Sequence, residues 1–148
     1  MPSIIPSYVY TFFALTIMGT LLICAFASFS VSVKQDVEIE QLKNLLQHVA
    51  AESCELISTT TSNNSTATLR LSMPSNLCEK SYWLQFRNDS SHAWVEGGLA
   101  STPVETSLKI YVPGTVTASG LYKSGYGFAE LRCELQEGTV FLNLSEAS

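Results

Sequence analysis

Thirty-three residues pass before the chain carries its first charged side chain, Lys34. The core of this run, Tyr8 to Val33, reads YVYTFFALTIMGTLLICAFASFSVSV. A helix rises about 1.5 Å per residue, so roughly 20 apolar residues cross a hydrocarbon core of about 30 Å. The run has that length with some to spare. So much apolar surface has two outlets: burial in lipid, or removal as a signal peptide. Ala25-Phe26-Ala27 matches a small-x-small cleavage pattern. The flank before the run holds no Lys or Arg, however, and the run is longer than a signal core. Both points favour a retained transmembrane anchor over residues 8–33, after a short flank of residues 1–7.

Within the run, Leu21-Leu22-Ile23-Cys24 has the outline of a lipoprotein box. Ile23 is too bulky for the small residue wanted before the cysteine, so Cys24 reads as a small apolar residue on a lipid or helix face. After Gly19 the sequence has no Gly or Pro until Pro74, so nothing breaks the helix at the membrane surface. Leu42, Leu45, Leu46, Val49, Ser53 and Leu56 then recur at spacings of three and four, which is one helical face. Lys34, Glu38, Asn44, Glu52 and Glu55 fall on the other side. The pattern predicts one helix from about Ser7 to about Ser58, transmembrane first and amphipathic over 34–58. At about 1.5 Å per residue its length is roughly 75 Å. The polar stretch 59–66 reads as a solvated loop.

From Ala67 the period changes to two. Leu69, Leu71 and Met73 alternate with polar residues, as do Tyr82, Leu84 and Phe86. Short strands follow near Ala93–Glu96, Leu108–Val112 and Thr115–Ser119. Gly120 to Gly127 reads as a bend, and Ala129–Leu135 and Val140–Leu144 form a closing hairpin about Glu137-Gly138. The fold class is therefore α+β. A long N-terminal helix precedes a small antiparallel, sandwich-like or curled β domain of about seven strands over 67–148.

The net charge is −5, with 13 acidic and 8 basic side chains and no basic cluster, so a nucleic-acid partner is not implied. Of the four cysteines, Cys54, Cys78 and Cys133 lie beyond the run. They allow one disulfide, Cys54–Cys78 or alternatively Cys78–Cys133, or three free thiols. Their spacing and the absence of neighbouring histidines argue against zinc. His48 and His92 stand alone, Asp36-Glu38-Glu40 reads as a solvated juxtamembrane face because residues two apart point to different helix sides, and no glycine pattern cradles phosphate. No cofactor, metal or catalytic constellation is implied, which points away from an enzyme.

Four N-x-S/T patterns start at Asn63, Asn64, Asn88 and Asn143. They mark these residues as N-glycosylation acceptors and place the Lys-poor β domain outside the membrane. Lys34 and Lys43, counted strictly, favour the opposite orientation. Trp83, Trp94, Tyr122 and Tyr126 are candidate contact aromatics, the tyrosines within the stretch SGLYKSGYG.

The run Tyr8–Val33, joined without a breaker to Gln35–Ile57 and followed by a β head, resembles the type IV pilin-like proteins. It is similar in particular to the archaeal members that build pili or surround the archaellum. The resemblance is one of architecture across the whole chain, and no functional residue carries over. Met1–Ser7 lacks the basic leader, and no acidic residue precedes Asp36. The resemblance therefore implies a non-polymerising, stator-type or accessory surface protein. Its partners would be lipid through residues 8–33, further copies of itself, or other pilin-like or envelope proteins. The alternative reading is a tethered extracytoplasmic binding module for a ligand, glycan or envelope component.

Overall fold

The computed structural model describes residues 4–89, 91–100, 102 and 108–147. Met1–Ser3 of the flank, Ser90 of the third acceptor pattern and Ser107 beside the fourth strand lie outside the described residues. The chain forms two compact units, residues 1–37 and 38–148. The first helix, α1, is Ile4–Asn63 and belongs to both.

In the first unit α1 is apolar all round. None of residues 8–33 is buried, and Tyr8, Phe12, Met18, Ile23 and Phe29 are all well over half exposed. Three of its hydroxyls bond back within the helix. Thr16 donates to the Phe12 carbonyl at 2.9 Å, Thr20 to Thr16 at 2.8 Å and Ser28 to Cys24 at 3.0 Å. Such backward bonding satisfies these three donors without water. The helix is long and apolar enough to cross a membrane.

In the second unit α1 is one-sided. Leu42, Leu46, Val49, Ser53 and Leu56 are buried, as their spacing predicts. Glu38 departs from its expected polar side. It is only 4% exposed, because Lys80 pairs with it at 2.6 Å. The helix also continues past Ser58, so residues 59–63 of the expected loop are its last turn. Thr59 and Thr61 donate to the carbonyls of Glu55 and Ile57, and Thr60 is buried. Threonines that bond backward no longer compete with the helix for its own amides.

Seven strands follow: β1 Ala67–Ser72, β2 Trp83–Asn88, β3 Ala93–Gly98, β4 Lys109–Val112, β5 Val116–Lys123, β6 Phe128–Gln136 and β7 Thr139–Glu146. They hydrogen-bond in one sheet of order β1-β6-β7-β5-β2-β3-β4. Of the sandwich-like or curled arrangements expected, the chain forms one connected seven-stranded sheet, with β5 as its link. Val116–Gly120 of β5 runs parallel to β7, and Leu121–Lys123 pairs antiparallel with β2. The other four pairings are antiparallel.

Gly120 makes the change of neighbour possible. Its φ is +119°, and a Cβ there would fall on the Leu144 backbone. Two tight turns have both central residues at positive φ, as a two-residue hairpin of right-handed twist needs. Glu137-Gly138 joins β6 to β7, as expected. Cys78-Glu79 lies between the bridged residues Leu77 and Lys80, and contains no glycine to announce it.

The inner positions of the strands meet the α1 stripe in one core. Leu46, Val49, Leu84, Val95, Leu131 and Cys133 have no solvent exposure. Gly97 of β3 is a point of close approach. A Cβ there would lie 2.8 Å from the Trp83 carbonyl oxygen and 3.3 Å from Leu46 Cδ2. Leu46→Ala should lower unfolding free energy by about 2–5 kcal/mol. Gly120→Ala should cost at least about 2 kcal/mol. Denaturant titration of the full chain in detergent, followed by tryptophan fluorescence, checks both.

Candidate functional site

Strand register assembles a polar and aromatic cluster on the sheet face turned away from the core. Arg87 stands opposite Trp94, and Trp94 opposite Tyr111. Glu96, two residues along β3 from Trp94, therefore shares its face. Glu96 is only 5% exposed. One of its oxygens accepts from Trp94 Nε1 at 3.0 Å, and the other pairs with Arg87 Nε at 2.8 Å. A buried carboxylate held from both sides fixes the indole in one orientation. Lys109 of β4 places its Nζ 5.1 Å from the Trp94 ring centroid, within cation–π range.

The β2–β3 connection adds the remaining groups. Asp89 Oδ1 accepts the backbone N–H of Ser91 at 2.8 Å and of His92 at 2.7 Å. These two amides hold the Asp89 carboxyl below the usual aspartate range. The turn delivers the His92 ring 6.0 Å from Tyr111, whose other ring neighbour is Trp94 at 6.1 Å. Tyr111 is 61% exposed. Asp89, His92 and Tyr111 line an open hollow of about 400 Å³. The chemistry of the cluster is contact chemistry: ring faces, two cations and two carboxylates.

Of the four aromatics expected at a contact surface, Trp94 belongs to this cluster. Tyr126 is exposed on the turn between β5 and β6, apart from it. Trp83 and Tyr122 are instead buried, at 1% and 0% exposure. Trp83 does point away from the α1 side, as alternation requires, but its indole lies on Gly98, directly opposite. A Cβ at Gly98 would sit 2.9 Å from Trp83 Nε1, so the missing side chain is what admits the ring. That Nε1 has no hydrogen-bond partner among the described residues. Tyr122 faces the core because β5 runs straight through the expected bend at Gly120 and sets Tyr122 opposite Leu84.

The four acceptor asparagines are all exposed. Asn63 is the last residue of α1, Asn64 follows it at φ +50°, Asn88 ends β2 and Asn143 lies mid-strand in β7. Neither expected disulfide is formed, and each cysteine is a free thiol. Cys78 Sγ is 3.1 Å from Gln41 Oε1 on α1. Cys54 is 13 residues further along the helix (54 − 41), about 20 Å of rise, far outside the reach of a disulfide. Cys133 is buried between Ala67 of β1 and Leu142 of β7. Burial raises the Cys54 thiol pKa. Among the described residues no group of three His, Cys, Asp or Glu side chains is placed to hold a metal. His48 meets Glu52 at 3.8 Å on the helix surface.

Tyr111, Lys109 and Glu96 carry the cluster without having been singled out in the sequence. The available signal was position: Trp94 and Tyr111 both sit at outward sites of alternating strands. Only the β3–β4 register reveals that they touch. Comparison with protein-family models, curated proteins and solved structures finds no match for this chain.

Tyr82 and Tyr122 form the buried pair that β5 brings together, with ring centroids 6.3 Å apart. Tyr82 donates its hydroxyl to the Pro74 carbonyl at 2.7 Å. Burial first, then the neighbouring Tyr122, raises the Tyr82 pKa far above its ordinary 10.0, and burial raises that of Tyr122. The unfolded chain ionises at lower pH than the folded one, so this stability is complete below about pH 10 and falls as pH rises further. Tyr82→Phe should cost about 1 kcal/mol at pH 7 and make the alkaline decline shallower. Unfolding curves at pH 7, 9 and 11 measure both effects.

Proposed function

We propose that this chain is a non-enzymatic, single-pass membrane protein of the cell surface, a pilin-like structural or accessory subunit that carries its β domain outside the membrane. The observation that carries the reading is the double use of α1. Its first part is apolar on every side with none of residues 8–33 buried, whereas its later part supplies Leu42, Leu46 and Val49 to the core of the β domain. A helix that is greasy all round needs lipid or other helices around it. Anchor and domain thus share one secondary-structure element, which suits a subunit whose task is to hold a position. Lipid through residues 8–33 and further copies or envelope proteins are the partners that fit. The exposure of Asn63, Asn64, Asn88 and Asn143 agrees with an outside location for the domain.

The test is expression of the full chain in a host membrane, followed by alkaline carbonate washing and mass measurement. The chain should stay with the membrane, and protease added outside sealed cells should digest the β domain. Leu22→Arg, in the middle of the run, should weaken insertion by about 3 kcal/mol and release a measurable fraction. Release of a wild-type product beginning at Ser28 would mean that the run is a cleaved signal and would end the proposal. A β domain protected from outside protease would reverse the orientation.

A further inference from the structure

The cluster at the β3–β4 edge has a composition that the anchoring role does not use. Tyr111 is a large ring held out in water on the outermost strand, beside an equally exposed His92 and a half-buried Trp94. Exposed aromatic rings usually bury themselves against neighbours, and their display has to be supported. Here support is built in. Trp94 is fixed by the buried Glu96 and by Arg87, Lys109 covers the indole, and Trp94 in turn backs Tyr111. On the other flank the Asp89 turn fixes His92 against Tyr111. A surface whose rings are already held loses less side-chain freedom on binding.

The polar groups narrow the ligand. The side chains with permanent charge are Arg87, Lys109, Glu96 and Asp89, two of each sign, so the face has no net charge to attract a polyanion or a polycation. Among the described residues both backbone bonds to Asp89 go to Oδ1, which leaves its second oxygen, Oδ2, for a ligand beside the hollow. His92 adds a donor and an acceptor. An apolar face with a few polar groups at its margin matches a ligand that is itself flat and apolar on its ring faces and hydroxylated at its edges.

We propose that the His92–Tyr111–Trp94 row is a stacking platform for a neutral oligosaccharide whose hydroxyls are equatorial. The sugar ring lies on Tyr111, with Asp89 and His92 hydrogen-bonding its edge hydroxyls. The ligand belongs to the material around the protein and is bound in trans.

The experiment is calorimetric titration of the full chain in detergent micelles with cellohexaose and with chitohexaose, the two probes of this geometry. Saturable binding of at least one probe is expected. Tyr111→Ala should weaken it about tenfold, whereas Tyr111→Phe, which keeps the ring, should stay within about twofold. Tyr126→Ala, which removes an exposed ring outside the cluster, should bind as the wild type does. Unchanged circular dichroism of the Tyr111 variants excludes unfolding as the cause of any loss. Failure of both probes to saturate, or wild-type affinity in Tyr111→Ala, would overturn the proposal. So would binding of heparin or polylysine in place of the neutral sugars.

Discussion

The contact on which the β domain depends is the seal that Leu42, Leu46 and Val49 of α1 form over the inner side of the sheet. A sheet with one apolar face needs a second layer, and here that layer is a stretch of helix. The approach is close because β3 offers Gly97 where a side chain would meet Leu46 and the neighbouring strand. The sheet in turn holds together only because β5 changes neighbours at Gly120, so that the β7 side and the β2 side line one core. Two glycines thus do opposite work: Gly97 lets layers approach, and Gly120 lets a strand turn from one ladder to the next.

Much of this was legible in the sequence because the periods are clean. The three-and-four spacing from Leu42 to Leu56 named the buried stripe, and alternation from Ala67 onward named seven strands in nearly their observed places. What escaped depended on partners distant in sequence. Trp83 occupies an outward position, and only its pairing with Gly98 explains why it is nonetheless buried. Gly120 looks like a breaker and so sets Tyr122 in a bend, yet here the glycine serves a strand that continues. The turn at Cys78-Glu79 has positive φ at two non-glycine residues, which no local rule announces. The cysteine pairings failed for a similar reason. The sequence places Cys54 and Cys78 near two elements that touch, but not at the height on α1 where they touch.

The outer cluster illustrates the same limit from the side of function. Each member is ordinary by itself: an outward Trp, an outward Tyr, a loop His. The cluster is a property of register, since Trp94 meets Tyr111 only if β3 and β4 pair as they do. A shift of one residue would turn Tyr111 inward and bring Ile110 to the surface. Burial of Val95 and Val112 on the inner face disfavours that shift. The core residues of β3 and β4 therefore specify the surface display, although none of them is part of it.

The place where α1 enters the β domain raises the question of what fixes the helix along its own axis. An apolar stripe is a poor ruler. Leu42, Leu46 and Val49 repeat at nearly equal intervals, and a slip of one turn sets one apolar residue roughly where another was. Directional contacts discriminate better. Lys80 meets the buried Glu38, and one helical turn further on Cys78 meets Gln41, both from the Cys78-Glu79 turn. A slip of one turn would leave the Glu38 carboxylate buried without its cation, a cost that an exposed pair would not impose. Such a pair contributes little to stability by itself, because removing Glu38 from water offsets what Lys80 returns. Its contribution is to the difference between the native register and its neighbours. The stripe thus provides the attraction between helix and sheet, and the Glu38–Lys80 and Gln41–Cys78 contacts determine where along the helix that attraction settles.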